Sequence, residues 1–299
     1  MSNPPETVGA GGVIHDIGYR PYAGPRLGEG PVALSLFLTG LRNCYGLGRS
    51  GRSKVLPLLL LVLMVLPALI LVAVMVQTHA SEQLLPYPRY PMVTQVLVLV
   101  FVAAQAPALI SRDLRFRTIT LYLARPMRRS TYVLVRLASL TTAVFILLVA
   151  PLLLLLVGGI LADLDTWGQL RAFLEAAAAV LVLAAVLAGL SGLVAAISTK
   201  RGIAVAAVIV VLLVSYTVVS ALQNVAASQH ATTLAQAVGL FSPFTLIDGL
   251  QHWVFGTAAS TEAPPASTGM GVVFLLVTAA LLAALVGAML ARYRKVVAV

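Results

Sequence analysis

Residues 55–76 read VLPLLLLVLMVLPALILVAVMV, and this stretch decides the fold class of the 299-residue chain. Of these 22 residues, 16 are Leu, Val or Ile, and none is charged. A hydrocarbon core about 30 Å thick needs about 20 such residues in a helix. At about −0.3 to −0.6 kcal/mol for each apolar residue, membrane insertion is favoured by roughly 5–10 kcal/mol. We therefore predict a transmembrane helix here.

Five more windows have the same character, and the composition agrees with them. The chain is 60% hydrophobic and 10% charged, whereas soluble proteins carry about 25% charged residues. This composition excludes a soluble enzyme and a disordered regulator, and the single cysteine excludes a disulfide scaffold. We predict an all-α polytopic membrane protein whose membrane domain covers residues 31–299, after a flexible cytoplasmic tail over 1–30. The six predicted transmembrane helices are 55–76, 92–110, 137–161, 173–197, 203–222 and 271–290.

The basic residues predict how these helices are oriented. With the N-terminus inside, 18 of the 20 Lys and Arg residues lie in cytoplasmic segments, as the positive-inside rule requires. Only Arg89 and Arg171 fall outside. Both termini are therefore predicted to be cytoplasmic. Because the basic residues flank hydrophobic spans instead of gathering on one folded face, nucleic acid is not a predicted partner.

Two segments outside the spans are predicted to be helical. The first begins at Pro31 and is an amphipathic interfacial helix with a basic polar side. Its apolar residues are Leu34, Phe37, Leu38, Leu41 and Tyr45. The second segment holds two short helices over 232–240 and 244–254, before the last span. Ser242 and Pro243 open the latter helix, and we expect it to dip into the outer leaflet.

The sequence shows no catalytic motif, no metal site and no cofactor site. Residues 46–53, GLGRSGRS, approach a phosphate-binding loop, but Arg replaces the lysine, no strand precedes it and a membrane span follows. We interpret this segment as a flexible elbow. The spans also lack charged residues at mid-membrane depth, which argues against a proton- or sodium-driven carrier.

Mild polar residues inside the spans have two interpretations. They form hydrogen bonds between helices, or they line a path for an amphipathic or apolar substrate. The candidates for such a path are Gln95, Gln105, Ser215, Tyr216 and Ser220.

The connection between the second and third spans, 111–136, is longer than a helix hairpin needs. At about 100° per residue, Leu114, Thr118 and Leu121 form one ridge of a helix. Phe116, Ile119 and Leu123 form a second ridge on roughly the opposite side. Two ridges suit a helix held between this protein and a cytoplasmic partner. An interfacial helix without a partner remains the alternative.

The motif at 113–129, DLRFRTITLYLARPMRR, followed by Val133 and Arg136, resembles the cytoplasmic loop of type-2 ABC exporter permeases (the ABC-2 family). Those loops show an acidic residue, a small residue with Thr and Leu, a short apolar helix, Pro, Arg and a basic residue entering the next span. This chain departs from the pattern at three positions. Arg117 stands where Gly is usual, Asp113 where Glu is common, and Arg136 where Lys is usual.

The resemblance covers about residues 31–295 and implies a function. The loop would be a coupling helix seated on a separate ATPase subunit, which binds the ATP and Mg. Two permeases, identical or different, and two ATPases would form an exporter in the bacterial cytoplasmic membrane. Its substrate would be a small amphipathic or apolar molecule such as a drug or lipid. Membrane lipid would surround the exporter. The alternatives are an ATP-independent channel or carrier and a membrane anchor of another complex.

The resemblance also implies roles for residues of the loop. Leu114, Thr118 and Leu121 would contact the ATPase, and Pro126 would set the angle at which the chain leaves the helix. Asp113, Arg117 and Arg129 would be the charged anchors.

Overall fold

A computed structural model describes residues 24, 28–48, 50–111, 113, 127–198 and 200–297 of the chain, with side chains as far as 294. The structure is 83% helical, and no strand occurs in the residues it describes. The helices are α1 (Glu29–Cys44), α2 (Gly51–Thr78), α3 (Arg89–Val93), α4 (Gln95–Ala106), a π-helical segment (Pro107–Ser111), α5 (Arg129–Leu161), α6 (Thr166–Ile197), α7 (Arg201–Ser228), α8 (Thr232–Val238), a 3₁₀ turn (Gly239–Phe241), α9 (Pro243–Phe255) and α10 (Thr268–Val297).

Five of these helices, α2, α5, α6, α7 and α10, are long and apolar enough to cross a membrane. The all-helical structure thus fits a multi-pass membrane protein. Helices α5 and α6 form the centre, because 50% and 61% of their most apolar windows are buried, against 22–28% for the other three. Helices α2 and α7 leave most of their Leu, Val and Ile side chains exposed, and α10 exposes Val272, Val273, Leu275 and Leu276, as expected of surfaces that face lipid.

The predicted second span, 92–110, is not one continuous helix. It is interrupted at Thr94, whose amide and hydroxyl both donate to the carbonyl of Tyr90, at 3.1 and 2.8 Å. Pro107 then has no amide hydrogen for the carbonyl four residues earlier, and the helix continues as the π segment. The uninterrupted part, Gln95–Ser111, is about 25 Å long at 1.5 Å per residue. The prediction of six spans is therefore not confirmed.

Small residues repeat every four positions along α6, and they allow its neighbours to approach closely. Ala184, Ala188, Gly192 and Ala196 are all buried. A Cβ on Gly192 would lie 3.0 Å from Ile110 Cδ1 and 3.2 Å from Leu137 Cδ2. The stripe therefore packs α6 against the π segment and α5, the role that such residues have between membrane helices.

Helix α1 packs along α5 and begins at Glu29, two residues before the predicted start. Its buried residues are Leu36, Gly40 and Cys44, whereas the predicted apolar face is divided: Leu34 and Leu38 are exposed. A Cβ on Gly40 would lie only 2.6 Å from Ser139 Oγ. Because a glycine allows this approach, α1 has one face on α5 and a second apolar face left open.

Of the segment that approaches a phosphate-binding loop, residues 46–48 form a turn after α1, and residues 51–53 are the first residues of α2. Gly46 and Gly48 have φ angles of +67° and +81°, a region that favours glycine. A Cβ on Gly46 would lie 2.4 Å from the carbonyl oxygen of Ser53, so the turn closes on the first residues of α2.

The two short helices are confirmed as α8 and α9. Ser242 precedes α9 and Pro243 is its first residue, as predicted, although no described group hydrogen-bonds to the buried Ser242 Oγ. Gly256 ends α9 in the left-handed region, with φ +69°. Whether α9 enters a membrane leaflet stays a prediction.

Candidate functional site

Residues 112–126, which we call the 112–126 connection, join the π segment to the residues before α5. Ser111 and Met127, on either side of them, lie at one end of the helix bundle, which we call the basic end. Ser111 Oγ donates to the carbonyl of Ser198 at 3.1 Å, and Arg292 Nε donates to that of Ala196 at 3.3 Å. These contacts join the π segment, the end of α6 and the end of α10. The described basic residues at this end are Arg128, Arg129, Arg136, Lys200, Arg201, Arg292 and Arg294.

A buried ion pair lies where the connection starts. Asp113 and Arg136 are 5% and 4% exposed, and Arg136 Nη2 donates to Asp113 Oδ2. Tyr132 Oη donates to the same carboxylate oxygen at 2.6 Å. The Arg136 guanidinium also lies 5.4 Å from the centre of the Tyr132 ring. Burial of two charges is tolerated only with such partners, so Asp113 attaches the connection firmly to the first two turns of α5.

Tyr293 brings α10 into this cluster. Its ring lies 5.8 Å from the ring of Tyr132, at a tilt of 46°. The side chain is 3% exposed, and its hydroxyl has no hydrogen-bond partner among the described groups. The start of α5, the end of α10 and the connection therefore meet at one buried polar cluster.

The connection is also held where it ends. Met127 is buried, and the amide of Arg128 donates to Glu29 Oε1 at 3.0 Å. Thr131 Oγ1 donates to the same oxygen at 2.5 Å. The hydrogen bond from Thr131, followed by that from Arg128, lowers the pKa of the Glu29 carboxyl below its usual value. The first residue of α1 thus ties that helix to the start of α5.

The structure describes two of the seven predicted coupling residues. Leu114, Arg117, Thr118, Leu121 and Pro126 lie outside the described residues. Of the other two, Asp113 is in the buried ion pair and Arg129 is an exposed first residue of α5. The role predicted for Asp113, a charged anchor for the ATPase, stays a prediction. The sequence did not predict its pairing with Arg136 or the approach of Tyr132 and Tyr293, since nothing in their local pattern shows that they converge. The one feature of the sequence that pointed to this cluster was Asp113, a single acidic residue within a basic segment.

The predicted pathway residues lie on two neighbouring helices, α4 and α7. Gln105 is buried, and Gln95 has a buried Oε1 with no partner among the described groups. Ser215 Oγ donates to Leu212 of its own helix at 2.9 Å, and Tyr216 packs edge-on against Phe244. Ser220 is half-buried and completes the set. Helix packing therefore accounts for Ser215 and Tyr216, whereas a role in transport stays a prediction for all five.

No protein-family model matches the chain, and no curated protein matches it.

The opposite end of the bundle carries a second buried carboxylate. Asp248 of α9 is 3% exposed, and its Oδ2 accepts hydrogen bonds from the amides of Ser260 and Thr261 at 2.9 and 3.0 Å. Gln251 Nε2 donates to its Oδ1 at 3.2 Å. These bonds fix the loop between α9 and α10. The described residues contain no group of three or more His, Cys, Asp or Glu that would hold a metal ion.

Proposed function

We propose that the chain is the permease subunit of a type-2 ABC exporter. In this proposal, two permeases form the pathway for an apolar or amphipathic substrate, and two separate ATPase subunits bind ATP and Mg. The complex lies in the bacterial cytoplasmic membrane, with the basic end in the cytoplasm. Helices α3, α4 and the π segment together form the sixth crossing, because their combined rise is about 34 Å at 1.5 Å per residue.

The observation that carries this proposal is the attachment of the 112–126 connection at both of its ends. Asp113 joins its start to Arg136 in a buried ion pair, and Glu29 binds Arg128 just after its end. A partner that moves the connection therefore moves α5, one of the two central helices. Rigid-body coupling of this kind is how ATP binding in one subunit reshapes another.

The resemblance of the motif at 113–129 supplies the identity of the partner. The two apolar ridges predicted for the connection suit a groove in another protein, and the chain itself lacks a phosphate-binding loop. A separate ATPase meets both requirements. Asp113 then positions the connection from within the permease, while exposed Arg129 is available to the partner.

Purification from native membranes in mild detergent tests the proposal. We expect an ATPase with a phosphate-binding loop to co-purify at about one per permease and to hydrolyse ATP fastest in the complex. A purified permease without any ATPase would contradict the proposal and favour a channel or a membrane anchor.

Leu121→Asp tests the coupling role separately. We expect the variant to insert normally but to lose the stimulated ATP hydrolysis, since a carboxylate on an apolar ridge cannot be buried against the partner. Leu47→Asp is the matched control, because Leu47 is an exposed leucine in the turn before α2. Full stimulation with Leu121→Asp would remove the coupling assignment.

A further inference from the structure

An apolar cavity of about 490 Å³ opens between α2 and the α3–α4 pair. Pro67, Ile70 and Leu71 of α2 form one wall, and Val93, Val96 and Leu97 form the other. Ile70, Val93 and Val96 are 55–63% exposed, so the cavity is open sideways. Its volume is within the range of about 300–1,000 Å³ that is usual for small-molecule sites. An occupant therefore enters from the surroundings of the helices, which is the hydrocarbon of the bilayer.

The polar atoms at the cavity are already engaged. Tyr90 Oη donates to the carbonyl of Met64 at 2.5 Å, and Thr94 Oγ1 donates to the carbonyl of Tyr90 at 2.8 Å. Both hydroxyls therefore direct their hydrogens into the protein. A ligand that needs hydrogen-bond donors along its length would find none in these two hydroxyls, whereas a hydrocarbon chain loses nothing.

A cation lies just beyond the cavity. Arg89 is one helical turn before Val93 in α3 and hence on the same face. It is exposed, and among the described residues no carboxylate lies within 4 Å of its guanidinium. Arg89 in α3 and Val96 in α4 are seven positions apart in the chain, a rise of about 10 Å at 1.5 Å per residue. An anion at Arg89 and an apolar chain at Val93–Val96 thus match one amphiphile that lies parallel to the helices.

We propose that this cavity binds one acyl chain of a membrane phospholipid whose phosphate contacts Arg89. The site is a feature of α2–α4 alone and does not depend on the exporter assignment. It is separate from the basic end, because Arg89 follows the C-terminal end of α2 whereas the basic end includes the N-terminal end of α5 and the start of the connection.

Photo-crosslinking of the full chain in lipid nanodiscs tests the site. The probe is a phosphatidylglycerol with a photoreactive group in one acyl chain, and the labelled peptides are identified by mass spectrometry. We expect labels to concentrate on residues 67–71 and 85–97. Val93→Trp fills the cavity and is expected to reduce this labelling about tenfold, the contribution of roughly two buried methylene groups. Ile70→Trp fills the cavity from the other wall and is expected to reduce the labelling in the same way. It tests the site independently if Val93→Trp does not fold.

The controls separate a site from general contact with lipid. Val62→Trp changes a valine of α2 that is 58% exposed but does not line the cavity, and it is expected to leave the labelling unchanged. If the two segments label no more than the exposed face of α7, or if both cavity-filling variants label like the parent chain, the proposal is overturned.

The phosphate contact has its own test. Arg89→Gln is expected to lower phospholipid labelling about fivefold, the contribution of one basic residue beside a lipid phosphate, and to leave labelling by a photoreactive diacylglycerol unchanged. Arg171→Gln is the matched control, because Arg171 is paired with Glu175. Equal phospholipid labelling in the parent chain and Arg89→Gln would overturn the assignment of the phosphate to Arg89.

Discussion

The buried pair of Asp113 and Arg136 makes a sharp prediction about stability. The side chains are 7% and 5% exposed, so removal of either charge takes a buried ion-pair partner from the other. Such a loss costs about 3–5 kcal/mol. We therefore expect Asp113→Val and Arg136→Met each to lower the free energy of unfolding by about this amount.

Removal of both charges gives a different expectation. Replacement of a buried ion pair by apolar groups of similar size is often neutral, but Tyr132 Oη then loses the carboxylate that accepts its hydrogen bond. Removal of a hydrogen-bond partner from a buried polar group costs about 1–3 kcal/mol. The double variant should therefore lose only about 1–3 kcal/mol, and adding Tyr132→Phe should restore the parent stability to within about 1 kcal/mol.

The assay is unfolding of the purified protein by sodium dodecyl sulfate in mixed micelles, followed by the loss of helical circular dichroism. The single, double and triple variants are compared in one detergent, so that their free energies of unfolding refer to the same conditions. The reasoning is refuted if each single change costs less than about 1 kcal/mol, or if the costs of the two single changes simply add in the double variant.

Three further predictions concern packing and pH. Gly40→Ala should lower the free energy of unfolding by about 1–2 kcal/mol in the same assay, because overpacking against Ser139 costs about 1–3 kcal/mol and better helix propensity offsets up to about 1 kcal/mol. Gly158→Ala should also destabilise by about 1–3 kcal/mol, since its Cβ would lie 2.2 Å from Val72 Cγ2, and Val72→Ala in the same chain should relieve this. The pKa of Glu29 is lowered in the folded protein from 4.5. The stabilising effect of the Glu29 carboxylate is therefore complete above pH 4.5 and is lost as the pH falls through the lowered pKa. Hydrogen exchange of the α1 amides would detect this loss.

Each of these predictions has a matched control. Gly30 is also in α1 but has open space where a Cβ would be, so Gly30→Ala should leave stability unchanged or slightly higher; an equal loss at both glycines would contradict the contact with Ser139. Val72→Ala alone should be less disruptive than Gly158→Ala. Glu29→Gln should remove the acid dependence of exchange in α1, and an unchanged dependence would assign it to another group.

The sequence predicted well wherever a local pattern was sufficient. Long apolar windows located all five long helices, and the Ser242–Pro243 pair located the start of α9. The four-residue spacing of small residues in α6 is also a local pattern, and Gly192 packs closely there. Each of these features follows from the sequence spacing and the rise of a single helix.

The second predicted span shows where such patterns fail. Its composition is as apolar as that of its neighbours, yet the backbone leaves helical angles at Thr94 (φ −96°, ψ 9°), and from Pro107, which has no amide hydrogen, the helix continues as a π segment. Average hydrophobicity over a window contains no term for a backbone hydrogen bond. The cavity also lies beside this interruption, because Thr94 is among its lining residues.

By itself, the sequence determined that this is a helical membrane protein, which segments are apolar, and that its basic residues are concentrated at the ends of those segments. Only the tertiary structure decided what those charges and glycines contact. Asp113 meets Arg136 across 23 positions and Glu29 meets Thr131 across 102. Gly40 meets Ser139 because α1 lies along α5. Helical periodicity fixes the direction of a side chain from its own axis, but the neighbour it contacts depends on how separate helices pack, and no local pattern contains that information.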